Sequence, residues 1–532
     1  MIHNPPRIGR CRPQTTGRTG SSIAQSSDRL AAAEEFDEIG YRNRESNDGQ
    51  TRIVTSIFSG GTDQVSAGTS DDIAARLDRL PSSRAVWTIV MLISLGCVFE
   101  FYDLFFTAYV APGMTESGLF TQESLGIFAS LKAIRVAGFG TFVFSTFAGL
   151  WLGVTAFGQA ADRFGRKTVF TWSLIWYCSC TAIMAFQRSG LWLNIWRLIA
   201  GVGFGVQLVT VDTYIAELMP RTLRGRAFSI NQFISFCVVP IVALLAWLLV
   251  PLKPLGFDGW RWVVLLGSAG ALIVWGLRAG IPESPRWLAG KNRTDEADAI
   301  VSGIEAKVAA QYGGTLPTPA PPAAAEPGGP ARLADIFSAD YRGRTIMLSI
   351  FNAAQVIGFY GFNSWVPTLL IARGINITHS LEYAFIIAIS QPAGPLLGSY
   401  FADRIERKYQ IIAGLAGMGI LMAAFAFATS AAALILIGIA FTLSANIMSY
   451  AYHGYQAELF PTRIRSRAVG FVYSWSRIAA AFSGLITGSL LATGGVPAVA
   501  VFIGGAMIVG IWVIGFFGPR TNGLALEQLN DA

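Results

Sequence analysis

Charge is scarce in this chain. Asp, Glu, Lys and Arg make up 14% of its 532 residues, where soluble globular proteins carry about 25%. Combined with 52% hydrophobic residues and a mean hydropathy of +0.48, this excludes an ordinary multidomain soluble enzyme. It also excludes disorder throughout, which needs the opposite balance. Cysteine is sparse too, at positions 11, 97, 178, 180 and 237, with no CxxC pair. Cys178-Ser179-Cys180 is too tight for an ordinary bridge and lies in an apolar run, so neither a disulfide framework nor a zinc site is implied. There is no GxxxxGK[ST] loop and no HExxH helix, which argues against an ATP-driven pump and a metalloprotease. Nothing resembles a nucleophile with its base, so no enzymatic activity and no cofactor is expected. No apolar stretch follows the early arginines as in a signal peptide, and Glu34, Glu35, Asp37 and Glu38 contradict the acid-poor composition of a transit peptide.

What the chain has instead is long apolar runs. Residues 1–83 are rich in Ser, Thr, Gly, Arg and Asp and read as a disordered tail. Beyond them come segments of roughly 20 residues, each long enough to cross a bilayer. They lie at 85–110, 138–161, 168–187, 191–214, 227–250, 262–280, 345–371, 381–402, 410–428, 431–456, 467–491 and 495–517. The expected fold is all-α and polytopic. A six-span half at 84–280 and another at 344–518 flank a polar loop at 281–343, and a short tail follows at 519–532. Within the loop, Thr315 to Pro330 is a Pro/Ala/Gly linker, and Asp295 to Lys307 suggests a surface helix.

Basic residues set the orientation. The loops after spans 2, 4, 8 and 10 hold Arg163, Arg166 and Lys167; Arg221, Arg224 and Arg226; Arg404, Arg407 and Lys408; and Arg463, Arg465 and Arg467. The opposite loops hold half as many cations. By the positive-inside rule both termini and the central loop face the cytoplasm of an inner-membrane protein. The net charge of +7 is then a mark of orientation, and the expected macromolecular partner is the lipid bilayer rather than nucleic acid.

An internal repeat sets the architecture. Ala161-Asp162-Arg163-Phe-Gly-Arg166-Lys167 matches Ala402-Asp403-Arg404-Ile-Glu-Arg407-Lys408, and Ala216-Glu217-Leu218 with its following arginines matches Ala457-Glu458-Leu459. Both pairs are offset by 241 residues, so the halves are copies with the same topology. Parallel repeats related by an axis along the membrane normal are a transporter architecture, with the site between them near mid-bilayer.

Gly158-Gln-Ala-Ala-Asp162-Arg163-Phe-Gly165-Arg166-Lys167 resembles the loop 2–3 signature of the major facilitator superfamily. Pro282-Glu283-Ser284-Pro285-Arg286-Trp287-Leu288 resembles the signature of its sugar-porter and organic-ion branches. The resemblance spans about 85–520 and implies alternating access between two pseudo-symmetric six-helix bundles. It implies a cytoplasmic gate of Gly158, Asp162, Arg163, Arg166, Glu217, Arg224, Asp403, Arg404, Arg407, Glu458 and Arg465, whose acid–Arg bonds latch the halves. The other reading is that these residues only fix loop shape. Glu406 stands where the first copy has Gly165, so an asymmetric second latch is expected.

Charges inside spans are costly and mark function. Span 1 carries Glu100 and Asp103, and span 4 carries Arg197 before Gly201, Gly203 and Gly205. Asp103 and Arg197 fall at similar depth by the helical rise. The resemblance to proton-coupled sugar porters makes them a proton-coupling pair, the alternative being a static salt bridge. It also makes Gln232, on span 5, a solute ligand. Span 7 departs from the sugar porters: Gln355 remains, but Tyr360, Ser364 and Trp365 replace sugar-binding residues, as His453 does on span 10. Fewer amides and more aromatic surface disfavour a hexose. Arg477 on span 11 suits a carboxylate, whose two oxygens its planar fork can match; snorkelling is the alternative. Gln232, Gln355 and Arg477 are expected to hold solute, Tyr360, Trp365 and Tyr450 to pack on it, and His453 to titrate or to be structural. The expected protein is a monomeric secondary transporter moving a small organic acid with a proton, with a sugar or polyol porter, or a non-transporting sensor, as alternatives.

Overall fold

In a hydrocarbon medium a chain must satisfy its own backbone, and an apolar run does so as a helix. The computed structural model describes residues 70–121, 138–277, 280–312, 315–319, 332–402 and 404–521. Among the described residues, nine helices are long and apolar enough to cross a membrane. The last, Arg463–Phe517, holds two spans, because Gly495 at φ 64° turns the chain just before Pro497. Two further spans are Gly259–Leu277 and the pair Ile377–Ala388 and Ala393–Ala402. The chain is therefore a multi-pass membrane protein with the twelve expected spans. Spans 1 to 5 are Arg84–Glu116, Gly138–Phe157, Arg166–Ala185, Gly190–Leu218 and Arg221–Leu249. Span 6 is Gly259–Leu277 and span 7 begins as Arg342–Asn363, continuing in Val366–Ala372. Span 8 is the broken pair above, and spans 9 and 10 are Arg407–Phe427 and Ala431–Glu458.

The repeat is visible in the helix crossings. Spans 2 and 4 meet through glycines: a Cβ added to Gly153 would lie 2.2 Å from the Val202 carbonyl oxygen, and one on Gly205 would lie 2.3 Å from that of Leu150. Only a hydrogen at both positions allows backbones so close. The equivalent crossing of spans 8 and 10 pairs Gly394 with Asn446, whose Cβ is 2.2 Å from a Cβ built on that glycine. The Asn446 amide then donates to Gln391 Oε1 at 2.8 Å, and Gln391 Nε2 donates to Asn363 Oδ1 at 2.9 Å. All three amides are buried.

The halves touch along several seams. Trp247 stacks on Phe385 at 5.8 Å between spans 5 and 8. Phe147 meets Tyr360 at 4.4 Å between spans 2 and 7. Phe144 meets Phe482 between spans 2 and 11, where Gly140 also lies against the Gly484 carbonyl.

One boundary expectation is corrected. Residues 1–69 lie outside the described residues, but Ser70–Asp78 is a helix and not part of a disordered tail. Its Ile73 and Leu77 are fully buried with Ala297, Val301 and Val308 of the Thr294–Tyr312 helix. Arg76 bonds Asp298 and Glu305, and Arg79 donates to Glu305 at 2.7 Å. The polar composition concealed an apolar stripe that becomes useful only once the central-loop helix supplies its partner.

Candidate functional site

Span 1 places Asp103, and span 4 places Arg197, at the same level inside the first half. Arg197 is fully buried and Asp103 nearly so. Arg197 Nη1 donates to Asp103 Oδ2 at 2.8 Å. Its Nη2 donates to the Asp103 carbonyl oxygen at 2.9 Å and to Thr107 Oγ1 at 2.8 Å, and its Nε to Thr146 Oγ1 at 2.8 Å. Thr181 Oγ1 donates to the other carboxylate oxygen at 3.0 Å. The guanidinium is sandwiched by the Phe106 and Phe142 rings, at 4.8 and 5.2 Å. A buried pair is tolerable only when its remaining donors and acceptors are satisfied, and the three threonines do this. Tyr102, Asp103, Phe106, Tyr177, Thr181 and Ser268, among others, line a narrow recess beside the carboxylate that is too tight to hold a water molecule. Sequence reasoning found the pair and missed the threonines, because hydroxyls on apolar spans carry no periodic signal.

A second group gathers where the halves face each other. Arg477 is 5% exposed. Its Nη2 donates to Tyr473 Oη at 2.7 Å, its Nη1 to Tyr360 Oη at 3.4 Å, and its Nε has no partner. The first half carries Glu100 on span 1 and Asp212 on span 4. Glu100 is 1% exposed with an unpartnered Oε1, whereas Asp212 keeps accessible surface. His453, also accessible, bonds its own helix through Nδ1 to the Ser449 carbonyl at 2.7 Å and packs against Tyr452 and Tyr473. Tyr450 Oη lies 3.3 Å from Ser229 Oγ across the seam of spans 10 and 5. Gln232 is half-buried on span 5 and Gln355 is buried on span 7. Trp365 differs from expectation. It is 2% exposed, edge-on to Phe139 at 4.9 Å, so it packs the seam and is not open to a solute here.

The gate residues pair in a different way from that expected. Arg166 forms a fork on Glu217, at 2.7 Å for Nη2, and also binds Asp162 at 2.9 Å. The equivalent Arg407 pairs with Glu458. All five residues pair within their own halves rather than across the two. Arg224 and Arg465 also reach back to the carbonyls of Met219 and Phe460, at 3.4 and 3.1 Å, capping equivalent helix ends. Arg163 lies over the Phe164 ring and Arg404 over the Tyr400 ring. A Cβ on Gly158 would press on the Val154 carbonyl at 2.5 Å. Asp403 lies outside the described residues.

Glu283 was not foreseen as a site residue. Its Oε1 accepts from the backbone amides of Arg166, Lys167 and Ser284 at 2.9, 3.0 and 2.9 Å. Gly165, at φ 97°, brings the Arg166 and Lys167 amides within reach, and a Cβ there would lie 2.5 Å from Glu283 Oε2. Trp287 Nε1 adds a bond to the Asp162 carbonyl at 2.9 Å. The two sequence signatures are thus the two sides of one joint. In the second half Glu406 replaces the glycine and accepts from the Thr521 amide at 2.8 Å, the asymmetry that its residue type announced.

Duplicated six-span halves meeting along narrow seams define a membrane transporter of the major facilitator superfamily. Over residues 87–532 the chain matches the family described as Sugar (and other) transporter, and it belongs to that family. Among curated relatives, YyaJ of Bacillus subtilis, named for metabolite transport, is 30% identical over 84% of this chain and 96% of its own. The niacin transporter NiaP of Acinetobacter baylyi is 26% identical, covering 86% of this chain and 99% of its own. A gallate transporter of Pseudomonas putida is also 26% identical, over 81% and 92%. Among solved structures, a partially occluded inward-open xylose transporter, XylE of E. coli, superposes with a TM-score of 0.67. It is 19% identical, over 83% of this chain and all of that one.

Proposed function

We propose that this transporter is a proton-coupled symporter for a small organic acid, working as a monomer in the inner membrane with both termini in the cytoplasm. The Asp103–Arg197 pair carries the coupling. When Asp103 takes a proton its attraction for Arg197 drops, yet the guanidinium keeps three neutral acceptors: the Asp103 carbonyl, Thr107 and Thr146. The pair can therefore change charge without losing its shape. Protonation from outside removes a buried negative charge, and release inside restores it.

Arg477 supports an acid as the solute. A buried guanidinium with a free Nε and two tyrosine hydroxyls beside it presents a donor array suited to a carboxylate. Tyr360, Tyr450, Gln232 and Gln355 stand around it as further solute contacts. Relatives named for niacin and gallate carry aromatic acids, which fits this aromatic surround. The buried amides that would suit a polyol, Asn363, Gln391 and Asn446, bond one another. The gate pairs Arg166–Glu217 and Arg407–Glu458 hold each half's loops as one body while the halves rock.

The test is uptake into proteoliposomes under an imposed pH gradient, with niacin and gallate as labelled acids. Asp103→Asn should abolish uphill accumulation and retain exchange. Accumulation at the wild-type rate would overturn the coupling assignment.

A further inference from the structure

The three threonine hydroxyls around the coupling pair are not used alike. Thr107 and Thr146 accept from Arg197 at 2.8 Å each, and a guanidinium can only donate. Thr146 therefore keeps its own hydrogen for the Phe142 carbonyl four residues back, at 2.9 Å, where a threonine hydroxyl in a helix commonly rests. Thr171, Thr210 and Thr213 rest the same way, on the carbonyls of Lys167, Val206 and Val209. Thr181 on span 3 is turned differently. Its hydroxyl crosses to span 1 and donates to Asp103 Oδ1 at 3.0 Å, rather than to the Tyr177 carbonyl of its own turn. Of the three, it alone has a partner that becomes a donor on taking a proton.

Asp103 Oδ2 accepts from Arg197 Nη1 at 2.8 Å, so a proton that leaves that bond intact sits on Oδ1. The new O–H then needs an acceptor, because a buried donor left without one is costly. The recess on that side, between spans 1, 3 and 6, is too tight for a water molecule. The titratable groups facing the carboxylate are Arg197, Tyr102, Tyr177, Cys178 and Cys180. Arg197 has no acceptor to offer, and the Tyr102 hydroxyl bonds the Val263 carbonyl at 2.7 Å. Thr181 Oγ1, already at bonding distance, is the acceptor in place. We propose that Thr181 is a reversing hydroxyl. It donates to ionised Asp103; when Asp103 is protonated it accepts from Oδ1–H and turns its own hydrogen to the Tyr177 carbonyl, whose second lone pair can take it. The incoming proton stays on Asp103, Thr181 keeps its hydrogen, and both forms of the acid remain hydrogen-bonded. Thr146 already shows the arrangement, accepting from a neighbouring span and donating to its own. Thr181 is then a positioning residue of the coupling step. This rests on the coupling reading above and adds span 3 to it.

Infrared difference spectra of the purified full chain across pH, with Asp103→Asn as the blank, read the protonated carboxyl directly. Its carbonyl band should lie at a hydrogen-bonded position, move toward the free-acid position in Thr181→Val, and return in Thr181→Ser. Transport supplies a second readout, in proteoliposomes given labelled niacin or gallate. Thr181→Val takes a charge-assisted bond from the ionised form but only a neutral one from the protonated form, so proton release is the step that slows. Proton-driven net uptake should fall about tenfold, exchange should hold, and Thr181→Ser should recover net uptake. Should neither acid be taken up, the infrared arm decides alone. A purely structural threonine would lower net uptake and exchange together, and that result would overturn the proposal. So would a band moved by Tyr177→Phe and not by Thr181→Val. A free-acid band in the wild type would also overturn it, even if Thr181→Val does not fold. If no Asp103-dependent band appears, Asp103 does not titrate; the coupling reading itself then falls, and this proposal with it.

Discussion

The two halves descend from one pattern and have spent their interiors differently. At one crossing the first half has Gly153 against Gly205, and the second has Gly394 against Asn446. Where the first half buries Arg197, the position 241 residues on is Gly438, whose built Cβ would meet Ile387. The first half therefore packs backbone on backbone and invests its polarity in one ion pair. The second opens the crossing by a side chain and invests in a neutral amide chain. A buried ion pair needs rigid, close neighbours, and glycine crossings supply them. Duplication fixed the frame, and divergence left the Arg197 ion pair in one copy and the amide chain in the other.

That division of labour can be broken experimentally. The largest effect is expected from Arg197→Met, which strands a buried carboxylate and should lower stability by roughly 3–5 kcal/mol, read as thermal unfolding in detergent. An unchanged midpoint would mean that Asp103 is neutral in the folded protein. Swapping the crossings comes next. Gly205→Asn drives a side chain into the Leu150 carbonyl and should cost about 1–3 kcal/mol or more through overpacking, or prevent folding. Asn446→Gly leaves Gln391 Oε1 without its donor and should cost about 1–3 kcal/mol. Equal tolerance of both swaps would mean that the crossings are interchangeable after all. Glu283→Gln removes the charge from three amide bonds and should loosen the loop 2–3 joint by about 1–2 kcal/mol, seen as faster amide exchange at Arg166 and Lys167.

The smallest effect lies at the docked helix, Ser70–Asp78. Burial alone would raise the Glu305 carboxyl, but hydrogen bonds and charge from Arg76 and Arg79 outweigh it and hold the group below its ordinary value. A depressed carboxyl stabilises docking above its unfolded pKa of about 4.3 and loses that contribution as pH falls through the folded value. Amide protection over residues 70–78 should therefore decline on acidification below roughly pH 4, and Glu305→Gln should lower it at neutral pH by less than about 1 kcal/mol. Protection that is flat across that range would assign the docking to Ile73 and Leu77 alone.

Much of this was legible beforehand. Twelve apolar runs and the 241-residue repeat led to the fold, the likeness of the Gly158–Lys167 and Pro282–Leu288 segments to known signatures led to the family, and the helical rise led to the Asp103–Arg197 contact. The gate was harder. Arg166 and Glu217 were both named, yet their partners could not be assigned, because several acids and arginines compete within one loop cluster and only geometry chooses. Trp365 was taken for a solute contact on its residue type, and the break after Ser364 turns it onto Phe139 instead. Glu283 was read as a signature letter, and two of its three amide bonds depend on a loop 116 and 117 residues away in sequence.

By itself the sequence determined what each segment must do in a medium without water: span it, or stay out of it, and in how many copies. Hydropathy and repetition are local or periodic properties, and a string of letters carries them in full. The tertiary structure alone decided which polar groups were answered and which were left open, such as the threonines that close around Arg197 and the unpartnered oxygen of Glu100. Hydrogen bonding needs positions good to a fraction of an ångström, and those exist only once distant spans have packed.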